Sequence, residues 1–368
     1  MNNKPRMLMF VYNDLTTDAR VQRSLNTLKV GFDITILSTG EPYECEGINN
    51  VVLNTPQKGI RKYFLIMKQV IAYGKKHKFD YLYLHDYYSC IPGLRLYKNH
   101  KTIYDAHELI IGTKEFPAQN REKFFGYFEK KLVDKVQLII CADKNRAELM
   151  RKFYKLKETP YVIPNYSELP ISDDYALPQA LTSFFTDKRK TLVYAGALTG
   201  GRNIEKIILS AAHLNNEYKM LVIGDGVEKQ KLEKIASECT DLKYLFTGSI
   251  PYRHLGSILK RCDVGYLSYP MTNLNNIYCA PNKIYEYASV ELPMICNDNP
   301  NLISIVGSNG IGVCVSENGA EGCSRSIEDA LILLNKNYDT YKENIRTFRK
   351  DNAWALISRK YLSMVKDI

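Results

Sequence analysis

The stretch VGYLSYPMTNLNNIYCAPNKIYEYASVELPMICND, residues 264–298, decides the fold. Two short apolar runs, 264–269 and 293–298, bracket a segment that reads as a helix over 281–290. That order is strand, loop, helix, strand, the unit of a parallel sheet. The polar middle, NNIYCAPNKIYEYAS at 275–289, then falls on a strand-end loop and a helix start. Pro281 suits a first helical turn. Asn282 and Lys283 follow at the helix N-terminus, with Glu286 one turn further on.

The same alternation extends in both directions. Upstream, strands are predicted at 7–12, 33–38, 81–85, 102–106, 137–142 and 161–164, with helical periodicity between them. Val21, Leu25 and Leu28 form one such apolar face, and Ile60, Phe64, Met67 and Ile71 another. Residues 166–188 break the pattern, with Pro170, Pro178 and a Ser/Asp cluster marking a linker. Strands then resume at 191–196, 219–226, 243–248, 264–269, 293–298 and 310–316. The segment from about 337 to 368 reads as helical and carries the single tryptophan, Trp354. A chain of 368 residues exceeds one ordinary core. The expectation is two doubly wound α/β domains facing each other across a cleft. Their limits are 1–170 and 189–345, with a linker at 171–188 and a C-terminal helix, 346–368, returning to the first domain.

Composition excludes several classes. Apolar residues make up 45% and charged residues 24%, the balance of a soluble globular chain. The N-terminal apolar run stops after six residues at Asn13-Asp14 with no small-residue cleavage site, so it reads as a strand and not a leader. Nine cysteines with no C-x-x-C fit a reducing compartment and argue against a disulfide framework or zinc site. The net charge is +10, and residues 58–79 hold seven Lys/Arg and no acid. This cluster reads either as a solvated helix face or as an attraction to anionic lipid headgroups or phosphates. No nucleic-acid module is present, so nucleic acid is not an expected partner.

Two glycine-rich turns follow strands in the second half: Gly196 to Arg202, with Gly200 and Gly201, and Gly224-Asp225-Gly226. Glycine there lets backbone N–H groups approach an anion at a helix N-terminus, though each is also a plain tight turn. Neither a dinucleotide G-x-G-x-x-G fingerprint nor a Walker A sequence occurs, since position 229 is Lys. Arg202 heads a helix, where a cation is disfavoured without an anion to hold. Glu286 reads in two ways: as a carboxylate gripping a vicinal diol such as ribose O2′ and O3′, or as a complement to the helix dipole.

These segments, in this order, resemble the retaining glycosyltransferases of family 4. The resemblance rests on YAGALTGGRNIEKII, LVIGDGVEKQKLEKIA, FTGSIPYRHLGSILKRCDVGYLSYP and PNKIYEYASVELPMICND. In the first half it rests on DARVQRSLNTLKVGFDITIL, YLYLHDYYSCIPGL, TIYDAHEL and VIPN. It covers roughly residues 7–300 and implies the GT-B architecture of two Rossmann-like domains. It implies that Arg202 binds the donor's pyrophosphate and that Glu286 holds the nucleotide ribose. Gly196, Gly200, Gly201, Gly224, Gly226, Gly248, Pro281 and Asn282 would surround the donor, with Lys283 beside the phosphates. The family's first glutamate, eight residues before Glu286, is Tyr278 here. His107 is the expected sugar contact. Asp18, Arg20, His85, Asp86, Asp105 and Glu108 are expected on the acceptor side, although Asp18 and Arg20 also read as a surface ion pair.

The resemblance implies transfer of a sugar, a hexose or related unit, from a nucleotide-sugar donor to an acceptor hydroxyl with retained anomeric configuration. Neither a cofactor nor a metal is expected, since no Asp-x-Asp motif stands in place. The acceptor would be a lipid-linked species or a glycan in capsule, exopolysaccharide or O-antigen synthesis. The basic segment 58–79 would hold a cytoplasmic protein at the inner membrane face. Two alternatives remain open at this stage: a non-catalytic nucleotide-binding partner of the same fold, and a nucleotide-sugar epimerase.

Overall fold

The computed structural model describes residues 4–172 and 175–368. It contains two compact units, each built on one parallel sheet. The first takes in residues through Asn165, with Asn273–Asn275 and Trp354–Ile368. The second is Tyr166–Thr272 with Asn276–Ala353. Met1–Asn3 and the Asp173–Asp174 part of the expected linker lie outside the described residues.

The first unit has seven strands in the order β3-β2-β1-β4-β5-β6-β7. They are β1 (Arg6–Asp14), β2 (Asp33–Thr39), β3 (Ile48–Val52), β4 (Tyr81–His85), β5 (Lys101–Ala106), β6 (Leu138–Cys141) and β7 (Tyr161–Val162). Helices α1 (Ala19–Leu28), α2 (Gly59–Lys76), α3 (Cys90–Leu96), α4 (Asn120–Val133) and α5 (Lys144–Tyr154) join them. The second unit has six strands in the order β10-β9-β8-β11-β12-β13. These are β8 (Lys190–Ala195), β9 (Tyr218–Ile223), β10 (Tyr244–Gly248), β11 (Val264–Leu267), β12 (Met294–Asn297) and β13 (Gly312–Val315). Its first four helices are α6 (Gln179–Phe185), α7 (Ile204–His213), α8 (Lys229–Glu238) and α9 (Tyr252–Leu259). In both sheets the order reverses at the first strand, between β1 and β4 and between β8 and β11. Strand ends diverge at such a reversal and leave a crevice where ligands bind.

The deciding stretch folds as read, with β11, a helix at Asn282–Ser289, and β12 paired in parallel with β11. Pro281 is the N-cap residue of that helix. Four readings need correction. The edge strand β3 (INNVV) was not foreseen, because it is half-exposed along its length and carries no buried apolar run. The linker region contains α6, which buries Leu181 and Phe184 and is held by the buried Lys219 ammonium on the Phe184 carbonyl at 2.9 Å. The C-terminal segment is two helices, Tyr338–Asp351 and Trp354–Lys366, because Asn352 leaves helical geometry and turns its amide back to the Phe348 carbonyl at 2.8 Å. Finally, α2 buries Tyr63, Ile66, Met67, Val70 and Gly74, so that of the expected face only Met67 is buried. Ile60 and Phe64 are 59% and 41% exposed.

Candidate functional site

Each unit has a cavity at its reversal point. In the second unit a cavity of about 260 Å³ lies at the ends of β8 and β11. Gly196, Arg202, Ser268, Tyr269, Lys283 and Glu286 are among its lining residues. Arg202 lies with its guanidinium carbon 3.9 Å from the centroid of the Tyr269 ring, and its Nη1 donates to the Ser268 carbonyl at 3.3 Å. Stacking on a ring fixes the guanidinium plane while leaving its edge N–H groups for a ligand. Asn203, in left-handed geometry, starts α7 and donates to Ser268 Oγ at 3.1 Å and to Glu317 Oε1 at 2.6 Å.

Lys283 and Glu286 meet one helical turn apart at 2.5 Å, with the carboxylate side chain 4% exposed and the lysine side chain 24% exposed. The ammonium offsets the carboxylate charge at the cavity wall. Beside it, Asn282 Oδ1 is buried and has no protein partner. A buried acceptor left unmatched is costly unless a ligand or water supplies the donor.

The glycines divide. A Cβ on Gly224 (φ 139°) would stand 1.9 Å from the Gly196 carbonyl oxygen, and one on Gly226 would stand 2.3 Å from that of Leu198. These two glycines let the loops after β8 and β9 cross, which is the tight-turn reading. Gly200 and Gly248 meet no such crowding. Tyr278 does not line this cavity, while Ser268 and Tyr269, which do, had not been singled out. Their signal was their place at the end of an apolar strand.

The first unit's cavity is larger, about 450 Å³, and is lined by Asp18, Asp86, His107, Glu108, Arg121 and Asn275 among others. Asp18 caps α1, accepting from the Val21 amide at 3.1 Å and from Asn13 Nδ2 at 3.0 Å. Burial works against its charge, but His107 and these bonds hold its carboxyl below the ordinary value. Asp86 follows β4 with φ 59° and ψ 168°, a region that residues with a Cβ rarely occupy. Burial, with Glu108 adding to it against His107, pushes its carboxyl up to about 7. Asn275 Nδ2 donates to Glu108, and Asn275 Oδ1 accepts from the Leu109 amide at 2.9 Å.

Behind the cavity wall lies a buried polar cluster. Arg20 does not line the cavity. It is 8% exposed and forms no surface ion pair: its Nη2 reaches Asp105 Oδ1 at 2.6 Å, and its Nη1 reaches the Ile163 carbonyl at 2.9 Å. Asp105 is held well below the carboxylate range: Arg20 and the two histidines outweigh its burial. His85 Nδ1 and His107 Nε2 are 3.1 Å apart. Burial, chiefly, pulls His85 down to about 3, so it is neutral. His107 is raised above its ordinary value because the Asp105 charge outweighs burial. His85, Asp105 and His107 bring three ligand atoms within 4.8 Å of one another, the one such grouping among the described residues. The Arg20 guanidinium on the same carboxylate opposes a cation there.

A third feature is the outer face of α2 and α4. Ile60, Phe64 and Leu65 are exposed on α2 beside Arg61 and Lys68. Phe124 and Tyr127 are exposed on α4 beside Lys123, Lys130 and Lys131. Among the described residues no helix is long and apolar enough to cross a membrane.

Comparison with known proteins adds to this geometry. Residues 182–348 match the family described as glycosyl transferases group 1, and residues 27–166 match glycosyltransferase family 4. An uncharacterised glycosyltransferase of Methanocaldococcus jannaschii is 25% identical over 283 residues, 72% of this chain and 68% of that protein. Among solved structures, sucrose-phosphate synthase from Thermosynechococcus elongatus superposes with a TM-score of 0.76 at 13% identity, covering 99% of both chains. HepE of Anabaena, in complex with UDP and glucose, gives a TM-score of 0.76 at 12% identity, covering 99% of this chain and 100% of that one.

Proposed function

Given that the chain belongs to the group 1, family 4 glycosyltransferases of GT-B fold, we propose that it moves a sugar, a hexose or related unit, from a nucleotide-sugar donor to an acceptor hydroxyl with retained configuration. The observation that carries this reading is the convergence of Arg202, Lys283 and Glu286 on one cavity at the β8–β11 reversal. A ring-stacked guanidinium and an ammonium meet a diphosphate, and the Glu286 carboxylate takes two hydrogen bonds from a ribose diol. Two negative charges grow on the departing diphosphate. Fixed cations and backbone amides that need no reorganisation stabilise them. These groups supply the leaving-group stabilisation themselves, so a metal is not required of the mechanism.

On the first unit, His107 at the wall of the other cavity contacts the transferred sugar. Asp18, Asp86 and Glu108 face the acceptor. The leaving phosphate assists removal of the acceptor proton, and no enzyme nucleophile takes part. The basic, aromatic outer face of α2 favours an acceptor at an anionic membrane surface, a lipid-linked species in surface-polysaccharide or glycolipid synthesis. On this reading the protein works at the inner face of the cell membrane. The binding of UDP by HepE is consistent with a nucleotide donor here.

The test is turnover. Purified protein given a panel of UDP-, GDP-, dTDP- and CMP-sugars releases the nucleotide from at least one, and Arg202→Ala abolishes that release. Full activity in Arg202→Ala removes the pyrophosphate role. No turnover of any donor by the parent protein, with nucleotide still bound, favours the non-catalytic partner instead.

A further inference from the structure

We propose that Arg20 is a positioning residue that acts through Asp105 to set the charge of His107 at the cavity wall. The inference rests on the reading of His107 as the sugar contact, and it assigns Arg20 a part that neither an acceptor contact nor a surface ion pair describes.

The carboxylate of Asp105 is buried, 1% exposed, and its oxygens are spoken for. Arg20 Nη2 bonds Oδ1 at 2.6 Å and Arg20 Nε reaches Oδ2 at 3.2 Å. Tyr83 Oη lies 3.2 Å from Oδ2. An ionised carboxylate only accepts, so the Tyr83 hydroxyl donates its single hydrogen to it. The Tyr361 hydroxyl, 2.7 Å from that of Tyr83, must then donate to Tyr83. Tyr361 belongs to the helix Trp354–Lys366, so the chain of bonds runs from the C-terminal helix to β5. His107 Nε2 stands 3.6 Å from Oδ2, and His85 Nδ1 stands 3.7 Å from it.

One negative charge therefore serves two cations of different kind. Arg20 is permanently charged, fixed by two further bonds to the Ile163 carbonyl and Asn165 Oδ1. His107 is titratable and reaches the cavity. Arg20 keeps Asp105 ionised and repels a proton on His107, while Asp105 attracts one. His85 is neutral, and when His107 carries both its protons its Nε2–H donates to His85 Nδ1, which marks the ring nitrogen turned inward. The other charged and titratable groups about His107 are Asp18 at the start of α1, Asp86 after β4, the adjacent Glu108, Arg121 and Glu122 on α4, and Arg146 on α5. Arg146 donates to the His107 carbonyl at 2.7 Å. Asp18 adds to the pull on the proton.

The device predicts opposite displacements from its two members, which a merely structural pair would not give. The experiment is an NMR titration of the full chain with labelled histidine, the His107 signal being assigned by its loss in His107→Gln. Asp105→Asn removes the attracting charge, and the His107 midpoint moves down. Arg20→Gln removes the repelling charge, and the midpoint moves up. Arg20→Lys keeps the charge and leaves it near the parent value. Midpoints that stay put in Asp105→Asn, or that move the same way in both variants, overturn the proposal. Should Arg20→Gln not fold, Asp105→Asn decides alone. The pH profile of kcat is read in parallel, its alkaline limb following the NMR midpoint. If the midpoints move as stated while that limb does not, the Arg20 assignment stands and it is the sugar contact by His107 that fails.

Discussion

The two cavities are built by opposite means. The second unit's cavity takes its chemistry from close neighbours in sequence: Lys283 and Glu286 stand one helical turn apart, and Arg202 follows the glycine-rich turn after β8. The first unit's cavity depends on groups far apart in the chain. Arg20 meets Asp105 across 85 positions, and Tyr83 meets Tyr361 across 278. The first kind of site is held by local helix geometry, and its charged groups line an open cavity. The second holds a buried ion network that must be satisfied within the protein before any ligand arrives. Substitutions in the first unit should therefore disturb stability, and those in the second should disturb ligand affinity.

The largest effect tests that contrast at its strongest point. Arg20→Ala leaves the Asp105 carboxylate buried without its cation and is expected to cost about 3–5 kcal/mol of stability. Urea denaturation measures it. A loss under 1 kcal/mol would mean that the network is not what holds this unit together.

Next comes Arg202→Ala. Loss of one charge-assisted contact to a diphosphate is worth about 1.5–3 kcal/mol, or roughly 10–100-fold in nucleotide affinity. Calorimetry reads the affinity, and the melting temperature without ligand should hardly change. If stability falls instead and affinity does not, the contrast between the units is reversed.

Asp86→Asn gives a smaller effect that depends on pH. The Asp86 carboxyl is pushed up from 3.8 to about 7, so the folded state holds its proton more tightly than the unfolded chain. Its contribution is present below pH 3.8 and is lost as pH rises through about 7. The variant lacks this loss, so its stability relative to the parent should improve by about 1–2 kcal/mol between pH 4 and 8, allowing for the partial exposure of the site. A difference that stays flat with pH would show that Asp86 ionises normally.

The smallest effect concerns the outer face of α2. Replacing Arg61 or Lys68 by Ala should weaken binding to phosphatidylserine vesicles by about 1 kcal/mol each, and by less at high salt. Equal binding to neutral vesicles would separate apolar insertion by Ile60 and Phe64 from charge.

The same contrast explains what could be read from the sequence. Strand and helix alternation, the paired domains, and the 281–290 helix with Glu286 at its cavity wall all follow from periodicity and short spacings. The role of Arg20 did not, since a basic residue at the second position of a helix looks like any surface cation until β5 is laid beside it. Tyr83 and Tyr361 gave no signal at all, because apolar strands and helices use tyrosine freely and only the fold joins their hydroxyls. The buried face of α2 was misplaced for a related reason: Tyr63 packs inward against Phe125, with ring centroids 5.3 Å apart, and leaves Phe64 outside.

The central claim, that the β8–β11 cavity binds the nucleotide of a sugar donor through Glu286, has one direct measurement. Thermal shift of the parent protein and of Glu286→Gln is recorded against UDP, GDP, dTDP and CMP. The account predicts that at least one nucleotide raises the melting temperature of the parent, and that the same nucleotide raises that of Glu286→Gln much less. Equal shifts in the two proteins, or no shift in the parent with any of the four, would contradict it.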